Sequence, residues 1–203
     1  AKVIAEVNGR PITVEEFLLR VPDGQKADLL DGVIYVASPD SPESADVNVF
    51  LTTLLATFVR KHKLGKIYGP RSAFRLSDRR APEPDIAFVR TERLHLWKGS
   101  IFQGPPDLAV EVVSPDSVER DTVHKRAAYE RSGVEEYWMV HLAEGRCIFL
   151  ILTEKGYIEA PLEPGNVFRS RVLPGFWLET DWVLSNELPP PDECLEKIYQ
   201  ASR

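Results

Sequence analysis

The chain has 203 residues, of which 43% are apolar and 28% are charged, and its formal net charge is −6. This length suits one sizeable hydrophobic core, and the composition excludes a disordered chain. No apolar run approaches the ~20 residues that a transmembrane helix needs, so we expect one cytoplasmic globular domain over residues 1–203 with no membrane partner.

Two short elements are predicted before residue 40. Thr13, followed three residues later by Glu16, has the capping-box spacing of a helix start. Residues 27–30 and 33–37 predict strands, and the Asp-Gly pair between them suits a two-residue turn. The N-terminal part is therefore expected to form a short helix and then a β-hairpin.

The longest predicted helix begins at Ser41, with Pro42 at the first helical position. Apolar residues recur after it at helical spacing, which predicts a buried face, and Gly65 is expected to end the helix. Short apolar segments bounded by turn residues then predict four strands, near 66–69, 72–77, 85–89 and 107–113.

The C-terminal half alternates strands and helices. A helix is predicted near 119–132 and closed by Gly133, and a last short helix near 192–200 follows a proline-rich break. Further strands are predicted at 136–141, at 146–153 and after the turn formed by Lys155 and Gly156. The passage 107–141 is short enough to connect parallel neighbours, so we expect an α/β (α+β) fold with a central mixed β-sheet flanked by helices.

Two carboxylates lie in otherwise apolar segments. Asp85 opens one predicted strand, and Glu111 lies in the middle of another. Removing an ionised carboxylate from water costs several kcal/mol unless a cation or strong donors replace the water. Two acids on neighbouring core strands therefore favour a site for a hard divalent cation such as Mg²⁺. The alternative is a structural ion pair with Arg or Lys, because such pairs also bury charge.

A lysine on the next predicted helix is the third candidate. Asp121, Lys125 and Tyr129 are four residues apart, so they share one face of that helix. Because the helix begins soon after the strand that contains Glu111, this face is expected to lean over the end of that strand. Lys125 is then a functional candidate, and the alternative is an Asp–Lys surface pair that adds little stability.

Charge is unevenly distributed along the chain. Between residues 60 and 80 there are eight Lys or Arg and one acid, whereas acids dominate after Phe176. This basic strip is either a phosphate-binding surface or an ordinary solvated one. Its candidate nucleic-acid-binding residues are Arg71, Arg75, Arg79 and Arg80. Arg71 and Arg75 are expected to alternate along one strand and to face the same groove.

These motifs together resemble a known family. Pro84-Asp85, a gap of 25 residues and then Glu111 resemble the Pro-Asp…(Asp/Glu)-x-Lys signature of restriction-endonuclease-like nucleases. The chain is more closely similar to the Uma2 family (DUF820) of bacterial proteins related to restriction endonucleases, from about residue 13 to residue 184. The stretches that carry this resemblance are Asp28–Gly32, Glu83–Ile86, Pro106–Pro115, Arg120–Lys125, Tyr129 and Gly133–Trp138.

The resemblance implies one restriction-endonuclease-like domain with a metal-dependent phosphodiesterase core. Asp85 and Glu111 would hold Mg²⁺ or Mn²⁺, helped by the backbone carbonyl of Val112, and DNA would be the substrate. The family's lysine two residues after the acid is Val113 here, so Lys125 would have to take its place.

A third acid and several alternatives complete these expectations. Asp28 is a candidate catalytic acid at a position where the family commonly has Glu. The predicted activity is hydrolysis of DNA by a metal-dependent endonuclease. The alternatives are an inactive nuclease-fold module that binds nucleic acid or assembles with partners, and a hydrolase of a small phosphorylated molecule. A homodimer is also expected, and the apolar segment 176–182 would either form its interface or close the core.

Overall fold

The structure is a computed structural model that describes residues 2–4, 10–22 and 24–201. The described residues form five α-helices, which are α1 (Val14–Arg20), α2 (Pro42–His62), α3 (Arg126–Ser132), α4 (Asp181–Leu184) and α5 (Pro191–Gln200). A π-helix (Arg120–Lys125) leads directly into α3, and two 3₁₀ helices span Thr91–Leu96 and Leu142–Glu144. The helix predicted near 119–132 is therefore present, but its first half is π-helical.

Fourteen strands are found in the same part of the chain. The first seven are β1 (Lys2–Ile4), β2 (Ala27–Leu30), β3 (Val33–Val36), β4 (Gly65–Tyr68), β5 (Ala73–Arg75), β6 (Ile86–Arg90) and β7 (Trp97–Lys98). The others are β8 (Ile101–Gln103), β9 (Leu108–Val113), β10 (Glu136–His141), β11 (Arg146–Thr153), β12 (Gly156–Glu159), β13 (Val167–Arg169) and β14 (Trp177–Glu179).

Six strands form a central mixed sheet in the order β12-β11-β10-β9-β6-β4. Its β9 and β10 are parallel, and its other neighbours are antiparallel. The predicted hairpin is β2–β3, which β1 extends to a three-stranded sheet. The predicted mixed α/β fold, with a central mixed sheet flanked by helices, is confirmed. The assignment of residues 1–203 to one domain stays a prediction.

Alternation along β9 divides its side chains between two sides of the sheet. Val110 belongs to the large apolar cluster that contains the buried face of α2. Ala109 and Val113 instead pack with Tyr129 of α3. Glu111 is two residues from both Ala109 and Val113, so its side chain points to the same side of the sheet as theirs, the side that α3 covers.

Helix α2 begins as predicted and ends differently. Ser41 caps its N-terminus, and Lys63, in the left-handed conformation with φ of 55°, caps its C-terminus. Gly65 was expected to end this helix, but it opens β4 instead. A Cβ at Gly65 would lie 2.0 Å from the carbonyl oxygen of Val89, so this glycine permits the close pairing of β4 with β6.

The apolar segment near the C-terminus closes the core. Phe176, Leu178 and Trp182 are at most 5% exposed and belong to the cluster around α2. These side chains are therefore not available as a dimer interface, and the homodimer stays a prediction. No helix in the described ranges is long and apolar enough to cross a bilayer.

The last helix, α5, packs against α2. Cys194 and Ile198 of α5 are fully buried. The ring of Tyr199 stacks on Phe58 with centroids 6.2 Å apart, and the Lys61 ammonium lies 4.4 Å from the centre of the same ring. Helix α5 thus covers the C-terminal end of α2.

Candidate active site

Two acids face each other across neighbouring strands. Asp85 directly precedes β6, and the antiparallel register that pairs Ile86 with Val110 sets Asp85 opposite Glu111. Both acids are buried, with 6% and 1% of their surface exposed. Asp85 Oδ2 accepts a hydrogen bond from the backbone N–H of Val112 at 2.8 Å. Asp85, Glu111 and Val112 line one cavity of about 20 Å³, which is room for a water molecule or a single ion.

The predicted lysine points into this cluster of acids. The Lys125 ammonium lies 2.8 Å from Glu111 Oε1, 3.1 Å from Asp28 Oδ2 and 3.6 Å from Asp121 Oδ1. Tyr129 Oη also donates to Glu111 Oε1, at 3.4 Å. The π-helix and α3 turn the face that carries Lys125 toward β9. The structure therefore brings together the four candidate residues of the sequence, which are Asp85, Glu111, Lys125 and Asp28.

Asp28 occupies the far side of Lys125. It is fully buried on β2, and its Oδ1 accepts from the backbone N–H of Glu83 at 2.8 Å. Glu83 returns a contact to the same strand, since its Oε2 accepts from the N–H of Ala27 at 3.1 Å. In the described structure Asp28 is not among the residues that line the cavity shared by Asp85 and Glu111. Its contacts suit a residue that holds Lys125 in place.

A second lysine, which the sequence analysis missed, contacts the site. The Lys26 ammonium makes a close ion pair with Asp85 Oδ1 and lies 3.9 Å from Glu111 Oε2. Its side chain is 20% exposed, in contrast to the fully buried Lys125. The available signal was its spacing, because Lys26 is two residues before Asp28 and shares its side of an extended segment.

Burial and the two lysines set the charges of the acids. Burial raises the pKa of Glu111 to about 8, although the nearby Lys125 favours the charged form. Burial also raises the pKa of Asp85, but the charges of Lys26 and Lys125 outweigh it, and the net pKa is lowered. The pKa of Lys125 is raised: burial opposes its charge, and the surrounding carboxylates more than compensate. Asp85 is thus held as a carboxylate and Lys125 as an ammonium.

The residues at the site fit a hard divalent cation that takes only one or two of its ligands from protein carboxylates. Within residues 2–4, 10–22 and 24–201, no three His, Cys, Asp or Glu side chains gather closely enough to hold a metal by themselves. Mg²⁺ is commonly bound by one or two carboxylates, with water and substrate phosphate completing its shell, and Asp85 and Glu111 supply that number. Asp121 also lines the cavity; its Oδ1 accepts no hydrogen bond within the described residues, but the Arg120 and Lys125 cations lie 3.5 and 3.6 Å from it.

Two other buried acids of the same sheet have partners that explain them. Asp107 Oδ1 pairs with the guanidinium groups of Arg90 and Arg93, each at 2.7 Å. Glu136 accepts hydrogen bonds from two backbone N–H groups, from a serine hydroxyl and from the indole of Trp138. These contacts satisfy both carboxylates without a metal. Asp85, Glu111 and Asp121 combine burial with a place on the wall of the small cavity.

The basic strip does not lie as predicted. Arg71 is in a turn with φ of 68°, and β5 begins only at Ala73. The expectation that Arg71 and Arg75 alternate along one strand is therefore wrong, because the left-handed turn interrupts the extended backbone. Arg71 and Arg79 are exposed, whereas Arg75 is half-buried.

Two arginines of the strip already have acidic partners. Arg75 pairs with Glu15 at 2.6 Å and with Asp78 at 2.9 Å. Arg80 pairs with Asp31 of the β2–β3 turn. Their positive charges are partly neutralised within the protein, so they are weaker candidates for phosphate contacts than the exposed Arg71 and Arg79.

The fold and the gathered acids define an α/β protein with a nuclease-like fold. A crystal structure described as "a putative nuclease belonging to DUF820 from Anabaena variabilis ATCC 29413" has a TM-score of 0.73 and 16% sequence identity. The likeness covers 86% of this chain and 98% of that chain, and at this identity it shows the fold. The chain belongs to the Uma2 family, described as "Putative restriction endonuclease", whose pattern matches residues 14–181. A comparison with curated proteins gives no match.

The predicted family is therefore confirmed. Membership of a family of this description supports a nuclease, which acts on nucleic acid.

Proposed function

We propose that this protein is a Mg²⁺- or Mn²⁺-dependent endonuclease that hydrolyses phosphodiester bonds of DNA. One observation carries the proposal: Asp85 and Glu111 face each other over a cavity of about 20 Å³, and each acid has its own lysine. A buried acid pair of this kind is costly to maintain, and an ion-sized space beside it gives the pair a use.

The residues around the cavity have distinct roles in this proposal. Asp85 and Glu111 would hold the ion, together with the backbone carbonyl of Val112. A bound divalent ion would lower the pKa of a water molecule and stabilise negative charge on the phosphate. Lys125 is a positioning residue, since its ammonium fixes Glu111 Oε1 at 2.8 Å. Asp28, on the opposite side of that ammonium, fixes Lys125 in turn.

The reaction consumes one water for each bond cut. The hydroxyl of the water forms a new bond to phosphorus, the bond from phosphorus to one sugar oxygen breaks, and the leaving oxygen takes up a proton. Exposed Arg71 and Arg79 would contact neighbouring phosphates. Cutting both strands of a duplex would use two copies of the chain, as a homodimer in the cytoplasm.

A second candidate function rests on the Lys26 contact. The Lys26 ammonium pairs with Asp85, so this carboxylate has a cationic partner without a metal. This contact favours a nuclease-fold module that binds nucleic acid or assembles with partners and performs no chemistry. The two candidates differ in whether the protein binds a divalent cation.

The test combines cleavage with metal binding. Purified protein is incubated with supercoiled plasmid DNA and Mg²⁺, Mn²⁺, Ca²⁺ or EDTA, and Mn²⁺ affinity is measured separately by calorimetry. We expect nicking with Mg²⁺ or Mn²⁺ alone, and its loss in Glu111→Gln, which removes a ligand charge but keeps the side-chain shape. Glu154→Gln, at an exposed acid in the β11–β12 turn, is the matched control and should stay active.

The alternatives give different results in the same assays. A wild-type protein that binds DNA but neither Mn²⁺ nor Mg²⁺ would support the inactive module. Equal cleavage by Glu111→Gln and by Glu154→Gln, with both variants folded, would remove Glu111 from the proposed site.

A further inference from the structure

The two lysines of the site differ in their freedom to move. Lys125 is fully buried, and three carboxylates surround its ammonium within 3.6 Å. Withdrawing it would leave buried Glu111 with only the Tyr129 hydroxyl and the more distant Lys26 ammonium as partners among the described residues, which is strongly unfavourable. Lys26 has one close carboxylate partner, Asp85, and a fifth of its side chain is exposed. Lys26 is therefore held by fewer carboxylates than Lys125, and it is the lysine of the two with access to solvent.

Lys26 also connects the acids to the protein surface. Together with Ala37, Ser38 and Asp40, it lines both the small cavity beside Glu111 and an open cleft of about 600 Å³. Arg71, an exposed cation, lies on the wall of the same cleft. A phosphate that enters the cleft meets Lys26 before it reaches the acids. Lys125 lines neither space within the described residues, so it cannot make that contact without a rearrangement of the core.

The position of the Lys26 ammonium is that of a cation between two acids. It contacts Asp85 directly and lies 3.9 Å from Glu111 Oε2. A divalent ion held by the same two carboxylates would need this space, and its charge would repel the ammonium. Such an ion would therefore compete with the Lys26 ammonium for Asp85. Lysine suits such an exchange because its compact charge is carried on a flexible four-carbon stem.

From these contacts we propose that Lys26 is a catalytic residue that binds the scissile phosphate, and that in the metal-free protein it occupies the cation position on Asp85. With an ion held by Asp85 and Glu111, the Lys26 side chain would extend into the cleft, and its ammonium would donate to a non-bridging phosphate oxygen. Lys125 keeps a purely positioning role. The inference rests on the proposed function, because it requires the metal site formed by Asp85 and Glu111.

Metal affinity in the absence of DNA is the first test, because it does not depend on activity. Calorimetric titration with Mn²⁺ is performed on the full chain with Lys26 intact, with Lys26→Met and with Lys155→Met, an exposed lysine in the β11–β12 turn. Lys26→Met removes the competing charge, so Mn²⁺ should bind about tenfold more tightly. Lys155→Met should bind as the wild type does. A positional or structural role for Lys26 predicts weaker binding instead.

Cleavage of DNA is the second test. In Lys26→Met, single-turnover cleavage at saturating Mn²⁺ should fall about 10²- to 10³-fold, the usual effect of removing one donor to a developing charge. Lys26→Arg should recover part of the loss, since it restores a cationic donor. Lys26→Gln keeps a polar side chain of similar length and replaces the Met variant if circular dichroism shows that the latter does not fold.

The outcomes separate this inference from the proposed function. If the wild type binds Mn²⁺ and cuts DNA, but the Lys26 variants match Lys155→Met in both assays, the role of Lys26 is refuted and the metal site stands. Weaker Mn²⁺ binding in a folded Lys26→Gln would refute it as well. A wild type that binds no Mn²⁺ and cuts no DNA would instead refute the proposed function. Tighter Mn²⁺ binding together with slower cleavage supports the inference.

Discussion

Replacing Lys125 by methionine should destabilise the protein strongly and in a pH-dependent way. Methionine keeps the length and apolar stem of the side chain and removes only the buried charge. The carboxylates of Glu111, Asp28 and Asp121 would then lose the ammonium that lies within 3.6 Å of each. Asp28 and Asp121 would keep Arg120 within 3.5 Å, so Glu111 would be the acid that lacks its close cation. Lys125→Met is therefore a test of the charge balance on which the site depends.

The magnitude follows from burial. Breaking a buried ion pair by removing one partner costs about 3–5 kcal/mol, because the remaining charge has no compensation. Both Lys125 and Glu111 are essentially inaccessible to water, so this range applies rather than the small values of surface pairs. A small domain is typically stable by about 5–15 kcal/mol, so the variant should still fold at low temperature.

Urea unfolding at pH 9 and at pH 5, in EDTA, measures this effect. The loss should be smaller at pH 5, where the acids can take up protons and become neutral. In a double-mutant cycle, Glu111→Gln should recover much of the loss, because it removes one of the unpaired charges. Lys155→Met serves as control and should change stability by less than about 1 kcal/mol. A loss below about 1 kcal/mol for Lys125→Met at pH 9 would refute the reasoning.

Three further predictions concern pH, DNA binding and strand packing. In EDTA, the free energy of unfolding should fall as pH rises from about 4.5 to about 8. Burial raises the pKa of Glu111 to about 8, so in this range the folded state retains a proton that the unfolded chain has released. Urea titrations should show that Glu111→Gln flattens this pH dependence. In Ca²⁺, Arg71→Ala should weaken DNA binding and reduce the slope of log affinity against log salt concentration by about 0.9, measured by fluorescence anisotropy. Arg75→Ala should change this slope less, because the Arg75 guanidinium is already paired with acids. Gly65→Ala should lower stability by about 1–3 kcal/mol in thermal unfolding, whereas Gly69→Ala, where a Cβ would meet no atom within 4 Å, should have little effect.

The part of the site that the sequence could predict depends on local rules. Alternation along two apolar segments places Asp85 and Glu111 in the core, and the spacing of four residues places Lys125 with Asp121. These rules hold whatever surrounds the segments, and the structure obeys them, even though residues 120–125 form a π-helix.

The part that the sequence could not predict depends on contacts between distant segments. Lys26 meets Asp85 across 59 positions of the chain, and no local pattern identifies that pairing. Arg71 adopts a left-handed conformation that an arginine rarely takes, so its turn could not be expected. Gly65 was interpreted as a helix end because glycine is common there, whereas its actual role depends on the approach of Val89 from another strand.

Helix α5 shows that the limits of a family pattern need not coincide with the limits of a folding unit. The Uma2 pattern ends at residue 181, ten residues before α5 begins at Pro191. Yet Cys194 and Ile198 are as inaccessible to water as the centre of the sheet. An expression fragment trimmed at residue 181 would strip the cover from Phe58 and leave an apolar surface prone to aggregation.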